Sequence, residues 1–239
     1  MNLDRRPLYA RTAEILTSRI ADGTWAPGAL IPAEPEIALE LGVSPGTVRK
    51  ALDALERRRL IERRQGRGTF VAAHTSERAL FHFFRIVDLR DGRHAPTSLV
   101  LDCRTGPTTA HDAAALELEP GAEVHRVERL RVLGAEAVIL ERILLPAARF
   151  PGFALPVLTE MSDELYVLYQ RDHGVTIARA EERLAAIAAN EAQAAKLNLW
   201  PGAPLLEIQR VAFDIADRPV ERRVTWVDTR SHRYLAQLD

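Results

Sequence analysis

Cysteine is almost absent from this chain: Cys103 is the one thiol among 239 residues. A single thiol excludes an internal disulfide framework and fits a reducing compartment, so a cytoplasmic location is expected. Lysine is nearly missing too. Lys50 and Lys196 are the two present, and arginine supplies the rest of the 32 basic side chains; this reads as compositional bias, not chemistry. No apolar run approaches the roughly 20 residues of a membrane span. Asp4, Arg5 and Arg6 are followed by an amphipathic segment, which is not the apolar core of a secretory leader. The histidines at 74, 82, 94, 111, 125, 173 and 232 are scattered, with no pair at metal-ligand spacing on a helix. There is no Gly-x-Ser-x-Gly and no phosphate-cradling loop. No catalytic set, metal or cofactor is therefore expected, and Cys103 reads as core within an apolar strand.

What is present is the composition of a folded protein, 47% hydrophobic and 27% charged, with length enough for two ordinary domains. The formal net charge of −1 conceals an asymmetry. Residues 1–73 hold 12 Lys+Arg against 9 Asp+Glu, a net of +3, which leaves 20 against 24, a net of −4, for the remainder. An acidic partner therefore belongs to the first third. The clustering of arginine between Arg57 and Arg67 says more than the sum.

Around that cluster the local grammar is specific. Residues 8–22 have helical periodicity, stopped by Gly23, and Trp25–Gly28 is a turn. Pro32 and Pro35 bracket the start of a second helix, with Ile37, Ala38 and Leu41 facing inward. Gly42 suits a left-handed helix end, Ser44 an N-cap and Pro45 a first turn. Val48, Leu52 and Leu55 then form one apolar stripe. Ser44, Thr47, Arg49 and Lys50 lie near the N-terminus of this third helix, where side chains reach base edges and phosphates in a major groove. Leu60–Glu62 and Thr69–Val71 read as two strands joined by a basic, glycine-rich tip. That is a wing, with Arg64, Gln65, Gly66, Arg67, Gly68 and Thr69 available to DNA.

The ordered run through Pro7, Gly23–Gly28, Leu30–Glu34, Leu41–Ser44, Thr47–Leu52 and Leu60–Val71 resembles the winged helix-turn-helix of GntR-family transcription regulators. Two positions depart from it. Relatives often carry arginine where this chain has Pro35 and Pro45, and proline cannot donate a hydrogen bond to phosphate or guanine. The operator contacts implied by the resemblance therefore shift toward Thr47, Arg49, Lys50 and the wing.

Residues 72–79 are polar and without periodicity, and read as a linker. Beyond them the texture is mainly strand. Segments 81–87, 97–104, 124–132 with 137–145, 175–187, 205–214 with 219–227 and 233–235 read as strands, and 111–118, 163–171 and 191–197 as helices. Pro146–Pro156 is an irregular loop. Arg129 and Arg131 alternate with Leu130 and so share one strand face, and Glu141 lies on the paired strand. Two guanidinium groups with a carboxylate can hold an anionic or zwitterionic small molecule. The same spacing also suits a cross-strand salt-bridge ladder on a solvated face, and spacing alone favours the ladder.

Glu128–Arg131, Ile139–Arg142, Leu165-Tyr166 with His173–Ile177, Pro201–Leu206, Asp217–Glu221 and Arg233-Tyr234 resemble, in order, the UTRA effector-binding domain of the HutC-type branch. That resemblance implies an α+β protein: residues 1–71 a winged helix-turn-helix, 72–79 a linker, and 80–239 an antiparallel-sheet domain of chorismate-lyase-like fold that binds effector and dimerises. It also places Arg129, Arg131, Glu141, Tyr166 and Glu221 in the effector pocket. His232 stands where an aspartate is usual. The implied function is a repressor that binds a palindromic double-stranded operator as a homodimer and is released by a small metabolite. A DNA-tethered enzyme with a lyase-like C-terminal domain is the alternative.

Overall fold

The computed structural model describes residues 6–73, 83–89, 96–133, 136–161 and 165–236. The expected linker beyond residue 73, the first strand's opening at 81–82, the hairpin tip at 134–135 and the start of the helix expected at 163–171 lie outside them. The chain divides into two compact units.

The first unit, residues 1–74 together with 214–218, is built on helices α1 (Leu8–Ala21), α2 (Glu34–Leu41) and α3 (Pro45–Arg57). Gly42 closes α2 at φ 64°, a left-handed conformation that glycine adopts with little penalty. Ser44 caps α3, accepting a hydrogen bond from the Thr47 amide at 3.1 Å. Val48, Ala51, Leu52 and Leu55 of α3 are buried, as are Leu16 and Ile20 of α1 and Ile37 and Ala38 of α2, and both helices pack on α3. The wing follows as β1 (Ile61–Arg64) and β2 (Gly68–Val71), antiparallel from Ile61↔Val71 to Arg64↔Gly68. Pairing runs further toward the tip than the sequence suggests. The loop shrinks to Gln65–Arg67, with Gly66 at φ 69° supplying the left-handed residue a three-residue hairpin needs.

The second unit contains β3 (Ile86–Asp88), β4 (Thr97–Pro107), α4 (Ala110–Ala115), β5 (Glu123–Leu133), β6 (Glu136–Pro146), β7 (Glu160–Met161), α5 (Leu165–His173), β8 (Ile177–Ala188), α6 (Glu191–Leu197), β9 (Pro204–Asp214), β10 (Pro219–Asp228) and β11 (His232–Tyr234). Seven strands form one sheet in the order β7-β4-β5-β6-β10-β9-β8, and β11 with β3 forms a second, two-stranded one. From β7 through β9 the neighbours pair antiparallel. Both faces of the large sheet are covered. Val127, Ile143 and Leu145 pack with Phe150, Phe153, Leu165 and Tyr169 on the α5 side. Leu140, Leu205 and Trp226 pack with Ala194 and Leu197 of α6 on the other.

Helix α4 starts at Ala110, where Thr109 caps it, and ends earlier than expected, at Ala115, because Leu116 already leaves helical geometry. Within the described part of the expected strand 81–87, pairing begins at Ile86 and runs to Asp88, opposite the three residues of β11. His232 is buried on β11, bonded through Nδ1 to Ser231 Oγ, with Nε2 3.6 Å from Asp88 on the paired strand.

Candidate functional site

In the first unit the expected DNA-facing side chains lie near the N-terminus of α3 and on the wing. Ser44, Arg49 and Lys50 are exposed, Thr47 is half-buried, and Arg64 through Gly68 are exposed, with Thr69 half-buried. The Ser44 and Thr47 hydroxyls bond each other at 2.9 Å, so each has one partner already. Arg49 gives both Nε and Nη2 to Glu34 Oε2, at 2.9 and 2.8 Å, while its side chain stays 66% exposed. One edge of the guanidinium is thus fixed and the other faces out. Arg64 stacks on the Phe70 ring at 4.5 Å and bonds Glu62, which stiffens the wing strand. Arg63, also in the arginine run, is turned back onto Asp53 and Glu56.

In the second unit the register fixes a charged cluster. Arg129 sits directly opposite Glu141, and Glu141 directly opposite Thr225. All three are buried, as are Arg131, Glu221 and Arg223. The solvated ladder that spacing alone favours is therefore not the arrangement found: these residues occupy the face that packs toward α5. Arg129 Nε bonds Glu141 Oε2 at 2.6 Å and Nη1 reaches Ser98 Oγ at 3.3 Å. Arg129 Nη2 is buried with no hydrogen-bond acceptor among the described residues. Arg223 gives Nε and Nη2 to Glu221, at 3.0 and 2.7 Å, and Nη1 to Glu141 at 3.3 Å. Tyr166 and Tyr169 donate to the two oxygens of Glu221 at 3.0 and 2.8 Å.

Electrostatics follow from the geometry. Burial alone would raise the Glu141 carboxyl, but the charges of Arg129, Arg223 and Arg131 outweigh it and hold it below the usual carboxylate range. Burial, reinforced by the Glu221 charge, pushes the Tyr166 phenol up to about 12. Tyr234 reaches about 12 through burial and its hydrogen bond to Glu182. Both phenols are therefore neutral donors at neutral pH.

Above this cluster a recess partly open to solvent is lined by Phe83–Ile86, Arg131, Glu141, Tyr166, Glu182, Arg210, Arg223 and Tyr234, among others. Of the five residues the sequence nominates, Arg131, Glu141 and Tyr166 line it. Arg129 and Glu221 belong to the ion-pair cluster and not to the lining. The sequence reading missed Arg223, Arg210, Glu182 and Tyr234. Arg223 had a usable signal, since it lies two residues from Glu221 and so shares its strand face. Arg210 had none without the register, which sets it directly opposite Arg223. Among the described residues, Arg85, Arg129, Arg131, Arg210 and Arg223 share the recess and the cluster beneath it with Glu141, Glu182 and Glu221, so guanidinium groups outnumber carboxylates there by five to three. An anionic group is what such a recess attracts.

A winged helix-turn-helix with an exposed basic wing, carried with a sheet domain that frames a charged recess, defines a transcription regulator. The sequence profile "Bacterial regulatory proteins, gntR family" matches residues 8–71 and that of the UTRA domain matches residues 91–233. The chain belongs to the GntR family, with a UTRA domain as its C-terminal part. It is similar to the HTH-type transcriptional regulator SmoD of Agrobacterium fabrum, 28% identical over 97% of this chain and 96% of that one. The probable fructoselysine utilization operon transcriptional repressor of Escherichia coli is also 28% identical, over 97% and 94%. A crystal structure of the ligand-binding domain of a putative GntR-family transcriptional regulator from Bordetella bronchiseptica covers 66% of this chain and 98% of its own. It is 32% identical, with a TM-score of 0.62. These relatives are regulators and not enzymes, and the DNA-tethered enzyme is set aside. Among the described residues no helix is long and apolar enough to cross a membrane.

Proposed function

We propose that this protein is a metabolite-responsive repressor acting in the cytoplasm, with residues 1–71 as the DNA-binding domain, 72–79 as the linker and 80–239 as the effector-binding and dimerisation domain. It binds a palindromic operator as a homodimer, because one winged helix covers a half-site and two-fold symmetry fixes the spacing of the second. Ser44, Thr47, Arg49, Lys50 and the wing residues Arg64–Thr69 make the contacts. A small anionic or zwitterionic metabolite enters the recess lined by Arg131, Glu141 and Tyr166, and Arg129 and Glu221 hold those side chains in place. The observation that carries this reading is the excess of buried guanidinium over carboxylate beneath an open recess. A recess whose described charged groups sum to a positive charge favours an anionic guest.

A ligand lowers operator affinity to the extent that it binds better to the conformation with weaker DNA affinity. The operator should differ from the common family site, since Pro35 and Pro45 replace two arginines. The test is random-sequence selection with the full chain, followed by sedimentation at micromolar concentration. A dimer selecting an inverted repeat supports the reading. A monomer that still protects a palindrome contradicts the dimer assignment, and recovery of the usual family site shows that those arginines do not set specificity.

A further inference from the structure

The cations of the recess are not equivalent. Arg223 has all three of its nitrogens on carboxylates, Glu221 and Glu141. Arg129 is buried against Glu141 and Ser98. Arg210 differs. Its Nε and Nη2 flank Glu182 Oε1 at 2.7 and 2.5 Å, which occupies one edge of the guanidinium. The end formed by Nη1 and Nη2 is held by uncharged oxygens, the Tyr166 phenol at 3.3 Å and the Phe83 backbone carbonyl. That end is the one able to grip a two-oxygen anion side by side.

The residues holding it also belong to the recess wall. Phe83 packs its ring edge-on to Tyr166 at 4.9 Å, and Phe84 lies under the Arg131 guanidinium at 4.7 Å from the ring centre. Ile86 opens β3, which is zipped to β11 through Tyr234, and the Leu235 amide donates to the Arg85 carbonyl at 2.8 Å. The segment Phe83–Ile86 is therefore a wall tethered to two of the cations an anionic ligand would seek.

We infer that Arg210 is the effector-sensing residue: an anionic group on the ligand takes the guanidinium end now held by the Phe83 carbonyl, and the exchange unties the segment that leads into β3. This rests on the effector-site reading above. An anionic oxygen adds a full opposite charge where the Phe83 carbonyl offers the guanidinium only a dipole, so the exchange runs toward the ligand. The recess strengthens the preference because its dielectric is below that of water. An anion that also reaches Arg131 competes with the face of Phe84, loosening the second tether.

Hydrogen exchange read by mass spectrometry on the full chain separates the possibilities. Without ligand, Arg210→Gln should speed exchange of the amides at 84–89 about tenfold or more, the scale of one charge-assisted hydrogen bond, while β5 and β6 keep their protection. Arg210→Lys, which retains the charge and can reach Glu182 or Phe83 but not both, should give a smaller increase, and it replaces the Gln variant if β5 and β6 lose protection there. Inorganic phosphate should stabilise the parent to heat and speed exchange at 84–89, with no further increase in Arg210→Gln. Arg210 variants as protected at 84–89 as the parent would overturn the tether and leave the effector site standing. The same holds if phosphate stabilises the parent while exchange at 84–89 is unchanged or slower. A parent that neither phosphate nor acetate stabilises would count against the recess as an anion site, and so against both.

Discussion

Glu34 is the residue whose contribution to DNA recognition is easiest to isolate. It pins Arg49 by one guanidinium edge while leaving the rest of that side chain exposed, so Arg49 presents a fixed orientation instead of a mobile charge. Glu34→Gln removes one negative charge from the surface proposed to face DNA and frees Arg49 to meet any phosphate. Affinity for random duplex DNA should rise and its salt dependence steepen by about one phosphate contact, while preference for the operator falls. An unchanged salt slope with unchanged preference would mean that Glu34 does not orient Arg49. Glu141 offers a second test, in the effector domain. Its carboxyl is held below the unfolded value of 4.5 by Arg129, Arg223 and Arg131. The stability it contributes is therefore complete above that value and is lost as pH falls from 4.5 toward the lower folded value. Glu141→Gln should cost about 3 kcal/mol near neutral pH, because it leaves buried guanidinium groups short of charge. The gap between variant and parent should narrow on acidification, and thermal melts from pH 7 down to pH 3 measure it. A gap that is constant with pH would mean that Glu141 is not ionised in the folded protein.

At the scale of elements, the winged helix was almost wholly legible and the effector sheet only in part. Gly42, Ser44, Pro45 and the Val48–Leu52–Leu55 stripe act within a few residues, and the elements they specify fall where the sequence places them. Two glycines in this unit make contrasting predictions. At Gly68 φ is +108° and an added Cβ would lie 2.8 Å from Leu30 Cδ1, so Gly68→Ala should destabilise by about 1–3 kcal/mol through backbone strain. At Gly46, in the first turn of α3, the nearest atom to an added Cβ is Ser44 Oγ at 3.8 Å, and Gly46→Ala should stabilise by about 0.4–1 kcal/mol. Thermal unfolding compares the two directly; equal shifts would show that backbone conformation does not decide either site. The sheet was harder to read because both of its faces are covered. Along β5, Arg129 and Arg131 are buried while Leu130 and Val132 are half-buried, so alternation gave the right partition and no sign of which set is deeper. The partners of that set, Arg223 and Arg210, come from β10 and β9. Their position depends on strand order, which no local pattern encodes.

At the scale of the molecule, the GntR-type winged helix and the UTRA domain place DNA recognition and the charged recess in separate parts of one chain, and regulation requires that the two be coupled. The size of such a coupling is commonly about 1–3 kcal/mol, or roughly 5- to 150-fold in affinity. Specific residues carry the expectation. Arg131 lines the recess, whereas Arg49 and the wing lie in the other unit, so a change at Arg131 can alter the response to a ligand without touching DNA. The decisive measurement is the affinity of the full-length protein for its selected operator, with and without a metabolite identified by its thermal stabilisation of the protein. The account predicts that the metabolite weakens operator binding by about 5-fold or more, and that Arg131→Gln binds the operator as the parent does but loses that response. A metabolite that stabilises the protein yet leaves operator affinity unchanged, or that acts equally on Arg131→Gln, would contradict it.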